Sequence, residues 1–166
     1  MTKEKLDGSI NYWKDKLHID IGSKIDPGRI LWAIANVEST YGKQNDATHH
    51  EGAYHYGGHY YKRSRIVREQ SQKWGCLAHS SFGSFQILFI TAYELGFRGD
   101  PIELRDPDIS LRYVVKLINR RVLDKLSDEK PIDIFDAYNS GTPRDRIVPE
   151  QYIDKALIFY NEKRVR

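Results

Sequence analysis

A glutamate at the edge of an apolar helical stripe is the first residue whose surroundings could give it chemistry. In DPGRILWAIANVESTYG, Asp26 to Gly42, the residues Ile30, Ile34, Val37 and Tyr41 recur at helical spacing, and Leu31 and Ala33 widen the face. Glu38 lies four positions after Ile34 and seven after Leu31, so the helix carries its carboxylate along the border of that face. A carboxyl group held against apolar neighbours titrates high and can stay protonated near neutral pH, which is what a general acid needs. A lone helical glutamate is more often solvated or paired with a lysine. The acid reading therefore depends on what else in the chain can meet Glu38.

Two later segments hold polar residues in apolar company. Gln86 stands in SSFGSFQILFITA, Ser80 to Ala92, at the expected start of an apolar helix. A buried amide without a partner is costly, so Gln86 must be engaged by something. Asn139 lies near the end of DAYNSG, Asp136 to Gly141, and could be no more than a helix C-terminal residue ahead of a glycine stop. On spacing alone, Phe85 and Tyr138 read as core aromatics. Cys76, the single cysteine, reads as a small buried residue and excludes an internal disulfide. His49, His50, His55 and His59 crowd one segment, but YGGH is no reliable helix and there is no cysteine partner or H-E-x-x-H pattern. No metal or other cofactor is expected.

The elements that must position these residues are marked by their ends. Asp26 and Pro27 are a cap and first-turn pair, and Gly42 is the expected stop of the Glu38 helix. An amphipathic helix is expected from Lys3 to His18, with Leu6, Ile10, Trp13 and Leu17 inward. Ala53 to Tyr61 alternates around Gly57-Gly58 and predicts a short hairpin. Ser64 caps a helix closed by Gly75. The segment Cys76–Phe97 predicts a small-residue loop followed by a helix that ends at Gly96. Asp106-Pro107 starts a long helix toward Leu126, and Pro131–Gly141 predicts a short one. Pro149–Arg164 closes the chain with Tyr152, Ala156, Phe159 and Tyr160 inward. The sum is one mostly helical α+β domain over residues 1–166 with a small β hairpin lobe.

The totals narrow the class. The chain has 166 residues and a formal charge of +3, enough length for one real core and too little positive charge for a nucleic-acid signature. A mildly basic surface suits an anionic polymer. Eleven tyrosines and three tryptophans suit a groove that stacks on sugar rings. No apolar run approaches membrane-spanning length, and the charged start MTKEKLDGSINYWKDKL lacks the apolar core of a signal peptide. A monomer is expected, with neither nucleic acid nor stable membrane insertion.

Three segments taken together carry a resemblance. Glu38-Ser39, then Gly83, Gln86, Thr91 and Ala92, then Ala137, Tyr138, Asn139 and Gly141 stand in the order and spacing of the motifs of the lytic transglycosylase (SLT) family. That family shares the lysozyme fold with goose-type lysozymes. Phe85 replaces the methionine usual before the glutamine, and the resemblance spans roughly Asp26 to Gly141. It implies a lysozyme-like fold with the cleft between a helical lobe and a hairpin lobe. The substrate would be the glycan strands of peptidoglycan, cut at the MurNAc-GlcNAc β-1,4 bond. Glu38 would protonate the leaving sugar oxygen and then act as base on the sugar's own 6-hydroxyl, closing a 1,6-anhydro ring without water. Ser39, Ser81, Gly83, Phe85, Gln86, Tyr138 and Asn139 would contact the substrate. In this reading Gly83 lets the backbone approach the glycan, Phe85 forms an apolar wall, and Tyr138 holds Glu38 or the sugar. The histidines could line the sugar groove.

A muramidase hydrolysing the same bond would need a second carboxylate to hold a water, and Asp46, Glu51 and Glu69 are the candidates. A non-catalytic wall-binding module is the alternative from another class. Without a signal peptide, such an enzyme would reach the bacterial wall, from the periplasm or from outside, by another route. A phage endolysin, a virion-carried enzyme or a domain excised from a longer exported chain would do so.

Overall fold

The computed structural model describes residues 2–20, 23–43, 49–50, 58–124, 128, 130–141 and 148–162. It is mostly helical with one small antiparallel sheet, the α+β class expected. Helix α1 runs Lys3–Trp13 and α2 Pro27–Ser39; α3 is His59–Arg63 and α4 Arg65–Trp74. Helix α5 is Phe89–Glu94, α6 Pro107–Ile118, α7 Pro131–Ser140 and α8 Glu150–Asn161. The strands are β1 His49–His50, β2 Ser80–Phe82 and β3 Ile87–Leu88, in the order β1-β2-β3.

Helix ends follow the caps written in the chain. Asp26 accepts the Arg29 N–H at 3.1 Å, and Pro27 sits in the first turn, where a missing N–H costs nothing. Asp106 does the same for α6, accepting from Asp108 and Ile109. Ser64 caps α4, Gly75 closes it, and Gly141 ends α7 in the left-handed region at φ 98°. Helix α6 runs on as a π-helical turn, Asn119–Leu123, so the long helix expected there changes register before it stops.

Three expectations change. His59, Tyr60 and Tyr61 belong to α3 and not to a hairpin; Ala53–Gly57 lie outside the described residues. The hairpin is formed instead by β2 and β3, with Ser81 opposite Leu88 and Phe82 opposite Ile87. Gly83–Gln86 make its turn, and β1 joins the free side of β2 through His49–Ser81 and His50–Ser80. Cys76 is exposed, in the 3-10 turn Gly75–His79, because that turn directs Ala78 and His79 inward.

Helix α2 runs through the middle of one hydrophobic core. Ile30, Leu31, Ala33, Ile34 and Ala35 are fully buried. Its main neighbour is α8, with α1 and α7 on its other sides, while α6 packs on α1, α5 and α7. Phe82, Phe85, Phe89 and Phe135 are fully buried within that core, each contributing about 1.5–3 kcal/mol by leaving water. The last turn of α2 is thus fixed from several directions. No helix among the described residues is long and apolar enough to cross a membrane.

Candidate active site

Helix α2 stops one residue beyond Glu38, earlier than its sequence suggests. Thr40, Tyr41 and Gly42 are all left-handed, with φ of 51°, 55° and 77°. The Thr40 N–H donates to Asn36 O and the Tyr41 N–H to Ala35 O, both at 3.0 Å. Gly42 is therefore not the residue that stops the helix; Thr40 is. Two non-glycine residues in this region cost about 1–2 kcal/mol each, so the surroundings must hold them.

Ser39 is one of those holds. Its side chain is fully buried; the Oγ accepts the Gly42 N–H at 2.7 Å and lies 2.8 Å from Ser84 O and 3.0 Å from Ala35 O. Ser39 thereby ties the end of α2 to the hairpin turn, and has no surface to offer a substrate. Tyr41 adds a second hold through its hydroxyl bond to Asp7 of α1.

The turn is shaped by contacts within the protein. Gly83 has φ 73°, and a Cβ there would sit 2.5 Å from Leu104 O. The close approach that requires glycine is to the backbone of Leu104 and Arg105, not to a glycan. Phe85 is fully buried and forms no open wall; its carbonyl accepts the Tyr138 hydroxyl at 2.5 Å. Gln86, at φ 44°, is the last residue of the turn and does not begin a helix, since α5 starts at Phe89. Its backbone N–H and its Nε2 both donate to Gly83 O, at 3.1 and 2.8 Å. This answers the question of what engages the amide. Ser81 is buried in β2, between His49 and Leu88.

Glu38 itself is half-buried, and the tyrosine on it is Tyr152 rather than Tyr138. The Tyr152 hydroxyl, brought by α8, donates to Glu38 Oε1 at 2.7 Å. Asn139, exposed at the end of α7, also hydrogen-bonds Tyr152. The result is a file of side chains from three helices, Asn139, Tyr152 and Glu38. Burial raises the Tyr152 phenol well above its ordinary pKa, the Glu38 charge adds to this, and Asn139 works against it. Burial also raises Tyr138, reinforced by Glu38 and opposed by Arg121. Both phenols therefore stay protonated across the neutral range. Tyr152 is a hydrogen-bond partner and not a base: its O–H donates to a carboxylate, and its oxygen can accept from a carboxylic acid.

Tyr152 went unread in the sequence because it is 114 residues from Glu38, on the inward face of the closing helix, where it passed for a packing residue. A buried tyrosine hydroxyl usually has a partner, and that was the available signal.

The structure brings Glu38, Tyr138 and Asn139 to one place, and sets Ser39 and the 83–86 turn beneath them as supports. Glu69 is half exposed on α4 and bonds Arg65 at 2.6 Å; Asp46 and Glu51 lie outside the described residues. The same holds for His55 and for the side chains of His49 and His50, while His59 is exposed on α3 beside Arg63. No group of three or more His, Cys, Asp or Glu among the described residues could hold a metal ion. The chain matches no protein-family model, no curated protein and no solved structure.

Proposed function

We propose that this protein cleaves peptidoglycan at the MurNAc-GlcNAc β-1,4 bond as a lytic transglycosylase of lysozyme-like fold, with Glu38 as its acid and base. One observation carries the reading: a half-buried glutamate at the end of a core helix, hydrogen-bonded by Tyr152, with Asn139 next in line. A single carboxyl group suffices for this chemistry. It first gives its proton to the leaving oxygen and then, as carboxylate, takes the proton of the sugar's 6-hydroxyl as that oxygen closes on C1. Tyr152 can serve both states of Glu38, donating to the carboxylate and accepting from the acid. Exposed Asn139 is the residue of the file best placed to reach an acetamido or hydroxyl group as well.

Glu38→Gln is the direct test, assayed on purified peptidoglycan with mass spectrometry of the released muropeptides. The wild-type chain should release anhydro-ended products, and the variant should release none while still sedimenting with the wall. Reducing ends would instead mean hydrolysis. Wall binding with no release by the wild type would mean a non-catalytic module.

A further inference from the structure

A second groove lies between α1 and α6, lined by Tyr12, Trp13, Asp108, Ile109, Arg112 and Tyr113, with a volume of 260 Å³. It shares no residue with the surroundings of Glu38. Tyr12 is the most exposed large hydrophobic side chain among the described residues, at 65 %, and its ring has neighbours. It meets Trp13 edge-on, with centroids 5.3 Å apart and planes at 86°, and the Lys16 ammonium lies 5.8 Å from its centroid. The Arg112 guanidinium sits 6.0 Å from the Trp13 centroid.

We infer that this groove is a saccharide-binding site that takes one pyranose ring of a polysaccharide. The C–H face of a pyranose is apolar, with slightly positive hydrogens that match the negative face of an aromatic ring, and the exposed Tyr12 ring lines this groove. The ring's hydroxyls need both donors and acceptors at the rim. Arg112 supplies donors and Asp108 acceptors, four residues apart on α6. Neither forms an ion pair with a described residue, although the Lys5 ammonium lies within electrostatic reach of Asp108. The Trp13 indole nitrogen is buried without a partner, so Trp13 contributes ring surface and the polar contacts fall to the α6 pair. The carboxylate disfavours a polyphosphate chain, which separates this site from a nucleic-acid platform. The volume falls below the roughly 300–1,000 Å³ of drug-sized pockets and suits a single sugar ring. Such a site would hold a glycan through residues other than those around Glu38 and add avidity on a long strand.

The test is a titration of the full-length Glu38→Gln chain with tri-N-acetylchitotriose, followed residue by residue by amide NMR. Saturable shifts at Tyr12, Trp13, Asp108 and Arg112 are expected, with a Kd on the order of 1 mM. Tyr12→Ala should weaken them about tenfold or more, as expected for the loss of a stacking ring. Arg112→Ala should do the same and carries the test should Tyr12→Ala fail to fold. Shifts confined to Glu38, Tyr138 and Tyr152 would overturn the inference and leave the Glu38 reading in place. Shifts in the groove, alongside a wild-type chain that releases no muropeptides, would uphold the inference without that reading. Stronger shifts from a single-stranded oligonucleotide than from the saccharide would overturn it too.

Discussion

Replacing Tyr152 by Phe removes one oxygen and leaves the packing of α8 on α2 in place. The lost contact is a 2.7 Å hydrogen bond to a carboxyl group. Hydrogen bonds to charged groups are worth about 1.5–3 kcal/mol. If the bond orients Glu38 in the transition state, kcat/KM on peptidoglycan should fall about ten- to a hundredfold. The pH profile should move as well. A hydroxyl donor favours the charged carboxylate, so its removal favours the protonated acid, and the alkaline limb set by Glu38 should shift to higher pH. Asn139→Ala, which touches Tyr152 and not the acid, should give a smaller change in the same direction. The assay is release of soluble muropeptides across pH, with thermal melting as the control for folding. A Tyr152→Phe protein that melts like wild type and turns over within twofold, with an unmoved profile, would refute the orienting role.

Other outcomes follow from the supports beneath the acid. Gly83→Ala places a Cβ 2.5 Å from Leu104 O at φ 73°, so the chain should lose about 3 kcal/mol or more and express mainly as insoluble protein. Ser39→Ala strips a buried hydroxyl from Gly42 N and Ser84 O, and urea unfolding should show a loss of about 1–3 kcal/mol. The folded fraction of Ser39→Ala should bind glycan as well as wild type, since Ser39 is not at the surface. Asp106 has a depressed pKa: burial opposes its charge, but the Lys5 contact and the Asp108 and Ile109 N–H groups outweigh it. A depressed carboxylate stabilises above its unfolded pKa and loses that contribution as pH falls through the folded value. Asp106→Asn should therefore flatten the acid side of a melting-temperature profile while costing stability at neutral pH.

The helix ends were legible because each is set by a residue acting within one turn of itself. Asp26-Pro27, Asp106-Pro107, Ser64, Gly75 and Gly141 all do in the structure what their chemistry dictates locally. The hairpin was not legible. Strands of two and three residues are too short to show alternation, and β2 is fixed by pairing with His49 and His50 some thirty residues away. The motif residues around the turn come together in the fold, but their recorded partners lie within the protein. Phe85, Gly83 and Ser39 are buried, and their partners at Tyr138, Leu104 and Ser84 appear only once the chain has folded. Thr40 in the left-handed region could not be read either, because the holds that permit it come from Ser39 and the Asp7–Tyr41 bond.

Tyr152, the donor to Glu38 Oε1, arrives on α8. A nascent chain translated only as far as α7 already contains the acid, the hairpin and Asn139, but not the hydroxyl between them. The Tyr152–Glu38 contact therefore exists only while α8 is docked along α2, and anything that pries that helix away breaks it.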